Sequence, residues 1–166
     1  MYRKLNDFID DWAYESSSTQ KIFESLTDES LSQKVTPDGR NLGFIAWHLA
    51  VTIPELMART GLKVEGPEEH SQPPSSAAEI ADAYKKASDS LVSQLKANWN
   101  DPMLEEEDDM YGEPWKKGQS LTNLIMHQAH HRGQMTVLMR QAGLIVPGFY
   151  GPAKEEWAAM GMEPMP

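Results

Sequence analysis

The chain has 166 residues, no cysteine, and 25 acids against 15 lysines and arginines, for a formal charge of −10. Without cysteine there is no disulfide framework and no thiolate ligand, so any metal must be held by histidine, carboxylate or water. The negative charge opposes nucleic acid and anionic membrane as partners, because such binding depends on Lys and Arg displacing counterions.

The length suits one domain over residues 1–166, with long polar connections that account for many of the 11 glycines and 11 prolines. The opening stretch, MYRKLNDFIDDWAY, carries acids where a signal peptide needs an apolar core, and no run approaches a membrane span, so the expected compartment is the cytoplasm.

Within residues 3–25, Leu5, Phe8, Ile9, Trp12, Ile22 and Phe23 recur near every third or fourth position with acids between them, which predicts an amphipathic helix. A TPDG turn at Thr36–Gly39 precedes a second helix, Asn41–Thr60, ended by Gly61; Pro54 inside it should kink it. Residues 61–76 hold three prolines and form a connection. A third helix follows Ser75 or Ser76 as N-cap and runs to Trp99, with Ile80, Tyr84, Ala87, Leu91 and Leu95 on one stripe. The acid-rich segment up to Gln119 has no periodicity and no convincing strand alternation. A fourth helix, Ser120–Gln141, stops at Gly143, and residues 144–166 form a C-terminal tail packed on the bundle, with one short helical turn around Ala153–Met160. Phe149, Tyr150 and Trp157 are the residues expected to anchor it.

Four helices of about 20 residues predict an all-α four-helix bundle. A connection of about 14 residues reaches roughly 45 Å, enough to run the length of the bundle and start the third helix parallel to the second. In the fourth helix Leu121, Ile125, Met126, Met135, Val137 and Met139 spread around most of the circumference. That helix is therefore either central or shared with a second subunit, and a homodimer is the expectation.

Three of the five histidines lie in MHQAHHRGQM, residues 126–135. At about 100° per residue, His131 projects about 40° from His127, and His130 about 60° on the other side, so the spacing alone leaves His130 as a rival for the second place in a pair. An i, i+4 pair brings two imidazoles within reach of one ion. Position 128 is Gln, which lacks the general base of an HExxH metalloprotease. His48 sits in AWHLAV among apolar neighbours; it heads a polar stripe with Thr52, Glu55 and Arg59. Together these residues supply a tris-histidine set from two helices with an open coordination position, the catalytic rather than the structural arrangement. His70, beside Pro73 and Pro74, reads as a solvated loop residue. Glu55 and Gln134 are candidates to orient ligands or water, and Arg59 and Arg132 either bind an anionic cosubstrate or are solvated helix charges.

NLGFIAWHLA around His48, with HQAHHRGQM from His127 to Met135, resembles the paired signature of the DinB-like (DinB/YfiT-like) metalloenzymes, over most of the chain. The resemblance implies a four-helix bundle with a long crossover between helices 2 and 3, and His48, His127 and His131 as metal ligands, with no ligand role for His130. Its relatives include transferases that use thiols such as bacillithiol, and the metal-binding domain of mycothiol-dependent maleylpyruvate isomerase is similar. The implied activity is a metal-dependent thiol S-transferase joining a small-molecule thiol to a small electrophile in detoxification or stress response. The cofactor is a divalent transition metal, zinc or nickel foremost, although imidazole also suits iron and copper. A metal-dependent hydrolase and a non-catalytic metal-binding bundle are the competing readings.

Overall fold

In a computed structural model, which describes residues 1–163, helix α1 spans Leu5–Glu24. Its apolar stripe is buried: Phe8 stacks on Trp12 with ring centroids 5.8 Å apart, and Phe23 meets Tyr84 edge-on at 5.0 Å. Helix α2, Leu42–Ala58, begins at Asn41, whose side chain accepts a hydrogen bond from the Phe44 amide at 2.7 Å. It continues through Pro54 for four further residues, and the turn after it closes at Gly61, where φ is 76° and the Leu62 amide donates back to the Met57 carbonyl at 3.1 Å. Helix α3, Ala77–Asn98, starts at Ser76, the second of the two serines expected to cap it.

Helix α4 spans Lys117–Gln141 and begins three residues before Ser120. The reason lies in the acid-rich segment, whose sequence predicts no strand. Strands β1 (Glu107–Met110) and β2 (Glu113–Lys116) pair there as an antiparallel hairpin, and β2 runs straight into α4. The expectation of no strand is corrected. Five of the eight strand residues are charged, so no apolar alternation shows, and the hairpin is set by its two-residue turn, Tyr111 at φ 60° and Gly112 at φ 89°. Asp109 accepts from the Gly112 amide at 2.7 Å, and the buried Lys117 pairs with Asp108 at 2.9 Å.

The described residues form an all-α bundle of four helices carrying this one small hairpin. Helix α1 packs on α3 and α4, and α2 packs on the same two, so α1 and α2 lie diagonally opposite. The starts of α2 and α3 meet at the same end, near the C-terminus of α1: the Leu42 amide bonds the Gln33 carbonyl, and the Ala77 amide bonds Asp28 at 2.7 Å. Farther along, Gly66 of the crossover sits between Pro54 and Ala87. Helices α2 and α3 therefore run in the same direction, as the long connection predicts. Helices α1 and α4 also run together. Gly118 at the start of α4 admits the backbone of Tyr2, where a Cβ would lie 2.1 Å from the Tyr2 carbonyl oxygen.

At the middle of the bundle, fully buried Gln128 of α4 joins all four helices. Its carbonyl accepts from Thr19 of α1 and Tyr84 of α3, both at 3.2 Å, and its amide reaches the Leu49 carbonyl of α2 at 3.4 Å. The tail returns across the bundle: Val146 is buried, Phe149 packs on the core, Trp157 is half-buried, and two short 3-10 turns at Lys154–Glu156 and Ala158–Met160 occupy the predicted helical turn. Positions 164–166 of the expected tail lie outside the described residues.

Candidate metal centre

His48 from α2 and His127 and His131 from α4 bring their Nε2 atoms together. His127 Nε2 lies 3.0 Å from that of His48 and 3.1 Å from that of His131, and one ligand atom from each residue falls within 4.8 Å of the others. Two metal–nitrogen bonds of about 2.0–2.1 Å, meeting at the angles of common coordination geometries, separate their nitrogens by about 3.0–3.4 Å, so the observed spacing suits one ion. Antiparallel packing of α2 on α4 creates the site, with His127 and His131 one turn apart on the face that meets His48.

Proton placement favours the same chemistry. A neutral imidazole has one N–H. His131 Nδ1 lies 2.7 Å from the Gln134 side-chain oxygen, which can only accept, so the proton is on Nδ1 and the lone pair on Nε2. His48 Nδ1 faces the Thr52 hydroxyl at 3.5 Å, the edge of hydrogen-bonding range, and that hydroxyl donates its own proton to the His48 carbonyl at 2.7 Å. His48 therefore also presents an Nε2 lone pair. His127 has a single proton and cannot satisfy two facing lone pairs, whereas a cation at the centre satisfies all three. Its Nδ1 is buried without a hydrogen bond among the described residues, so packing alone aims this ring.

Burial lowers the pKa of each of the three rings. The effect is largest at His127, which is brought from the ordinary 6.5 to about 3, with further lowering by His131, His48 and His130. At His48 burial is joined by the charges of His131 and Arg40; at His131 the Gln134 hydrogen bond opposes it. All three are neutral near pH 7, the form in which imidazole binds metal.

The other sequence candidates separate clearly. His130 is exposed, 4.8 Å from the His131 ring, and outside the triad. The His70 side chain is 93% exposed in the crossover. Gln134 orients His131 directly. Glu55 instead accepts from Arg59 at 3.0 Å and from the Tyr111 hydroxyl at 3.0 Å, while the Arg59 guanidinium lies over the Tyr111 ring at 4.1 Å. The hairpin tip is thus fastened to α2.

Arg132 is neither a solvated charge nor a cosubstrate site. It is fully buried, bonds the Glu15 carboxylate and carbonyl, Thr19 and the Tyr150 hydroxyl, and ties α4 to α1 and the tail. Nothing in the sequence marks Glu15, Tyr150 and Gln128 as its partners and neighbours beyond a charged residue next to His131 on a helix face that has to be interior.

A groove of about 420 Å³ opens beside the triad between α2 and the crossover. Phe44, Trp47, Val51, Thr52 and Glu55 of α2 line one wall and residues 69–72 of the crossover the other, and His48 is shared with the histidine triad. Trp47 Nε1 donates to the Ser71 carbonyl at 3.1 Å and holds the crossover in place.

The family model described as the DinB family matches residues 1–164. YrdA of Bacillus subtilis (strain 168) is 49% identical over 163 residues, 98% of each chain. A crystal structure of a DinB-like protein from Bacillus cereus ATCC 10987 superposes with a TM-score of 0.88 at 48% identity, over 90% of this chain and 100% of that one. A second DinB-like protein, YjoA of Bacillus subtilis, is similar in fold alone, with a TM-score of 0.69 at 16% identity over 88% of this chain and 98% of that one.

Proposed function

The chain belongs to the DinB family, and from that premise we propose that it is a metal-dependent thiol S-transferase whose ion is held by His48, His127 and His131. The observation that carries the reading is the convergence of three neutral imidazoles beside a largely apolar groove. A divalent transition ion, zinc or nickel foremost, supplies there the positive charge that lowers a thiol pKa from its free value of about 8.5. The chain supplies the rest. Gln134 holds the His131 ring with Nε2 inward, Thr52 faces the His48 ring, and Phe44, Trp47 and Val51 offer an apolar surface that receives a small electrophile. In the reaction the thiol proton leaves to solvent, the sulfur forms a bond to an electrophilic carbon, and the displaced group departs with its electron pair.

Such an activity serves detoxification or stress response in the cytoplasm, and no helix among the described residues is long and apolar enough to cross a membrane. Exposed Met126 and Val137 on the outer face of α4 support a homodimer through that helix. The test is incubation of metal-loaded protein with a low-molecular-weight thiol and monochlorobimane. Metal-dependent conjugation is expected; turnover of ester or amide substrates with water alone identifies a hydrolase instead, and no turnover in either panel a non-catalytic metal-binding bundle.

A further inference from the structure

The groove beside the triad differs at its two ends. His48 marks one end; Glu55 lies two helical turns farther along α2, about 10 Å away, with Val51 between them and Trp47 at the side. Glu69 adds a second carboxylate from the crossover wall. Arg59 serves both acids. It bonds Glu55 at 3.0 Å, lies 3.9 Å from Glu69, and places its guanidinium over the Tyr111 ring at 4.1 Å, outside the groove lining. One guanidinium against two carboxylates leaves this end negative, and among the described residues no lysine or arginine lines the groove.

The Glu55 side chain is 14% exposed and fixed in place: Oε1 accepts from Arg59, and both oxygens lie within 3.1 Å of the Tyr111 hydroxyl. Oε2 has no other partner among the described residues and keeps acceptor capacity. Phe44, Trp47 and Val51 supply the apolar surface on which a flat ring packs, and the face of an indole or phenyl ring attracts a cation. A positively charged ring is therefore favoured in this groove by aromatic faces and carboxylates alike. A negatively charged ring of the same shape is repelled by both.

We propose that the groove selects a flat aromatic cation as the electrophile, with its reactive carbon toward His48 and its positive group toward Glu55 and Glu69, and that it rejects the corresponding anion. Charge then sorts the two reactants, since a thiolate is repelled from the carboxylate end and drawn to the histidine end. Calling the ligand an electrophile rests on the transferase reading; the selection of an aromatic cation rests on the groove alone.

Titration of zinc-loaded protein with three non-reactive probes of similar shape, benzamidine, benzyl alcohol and benzenesulfonate, tests this through the NMR signal of the Trp47 indole N–H. Benzamidine should bind about tenfold more tightly than benzyl alcohol, and benzenesulfonate more weakly than either. Glu69→Gln, at an exposed position that folding does not depend on, should shrink the benzamidine advantage. Glu55→Gln combined with Glu69→Gln should abolish it and admit benzenesulfonate, because Arg59 then lacks a carboxylate partner. Equal affinities in wild type, tightest binding of benzenesulfonate, no binding of any probe, or an unchanged order in the variants overturns the proposal. Metal-dependent conjugation of monochlorobimane is scored separately. If it is absent while the probes bind in the stated order, the transferase reading falls and the selectivity of the groove stands; if it is present without that order, the reverse holds.

Discussion

The side-chain oxygen of Gln134 holds His131 Nδ1 at 2.7 Å, one turn along α4, and so fixes which nitrogen of His131 faces His48 and His127. Removing such a partner typically costs a metal site 10–100-fold in affinity. Gln134→Ala should therefore weaken zinc binding by about 10–100-fold while leaving the helical content unchanged, as read by competition with a chromophoric chelator. Wild-type affinity in this variant would show that His131 is aimed by packing alone.

The three histidines of the proposed site and their exposed neighbour His130 make a second contrast. His48→Ala, His127→Ala and His131→Ala should each lose stoichiometric metal on purification, whereas His130→Ala keeps it. Elemental analysis of the four folded proteins distinguishes them, and full loading of any of the first three removes that residue from the site.

Metal-free protein should lose stability in mild acid because of His127. Its imidazole takes a proton only near pH 3 in the folded state and near 6.5 in the unfolded one. Between those values the unfolded state holds more protons, so the contribution is complete above 6.5 and is lost as pH falls toward 3. Urea unfolding of metal-free wild type and His127→Leu from about pH 7.5 to 4.5 isolates the effect, because the carboxylates are common to both. The wild type should show the steeper fall; parallel curves would contradict the assignment.

Arg132→Met leaves Glu15 as a carboxylate facing the bundle without its cation, and should cost about 3–5 kcal/mol. Arg132→Met with Glu15→Gln should recover much of that loss, since both charges are then gone. Thermal unfolding of the single and double variants measures the difference, and a single variant as stable as wild type would mean that the buried pair is dispensable.

The sequence makes the helices legible because period and caps agree: Asn41, Ser76, Gly61 and Gly143 mark ends that the structure uses. His48, His127 and His131 stand out because the chemistry of one ion needs donors on facing helices. The hairpin is hidden because only Met110 and Trp115 of its eight strand residues reach the core, too few for an apolar alternation, and its turn carries Tyr111 at a position where asparagine or aspartate is the usual sign. Arg132 misleads for the converse reason. A guanidinium in a sequence suggests solvent, and only the three-dimensional meeting of α1, α4 and the tail reveals the acceptors that let it be buried.

His48 and His127 are 79 positions apart, whereas His127 and His131 are separated by a single helical turn. An unfolded chain keeps the second pair close but not the first, so an ion held by all three acts as a cross-link that closes a long loop. Unlike a disulfide, such a link is released when the chain unfolds, so its contribution to stability grows with the ion's affinity and free concentration. In a chain without cysteine, the metal can thus set lifetime against unfolding as well as reactivity, and chelation would shorten that lifetime before any chemistry is measured.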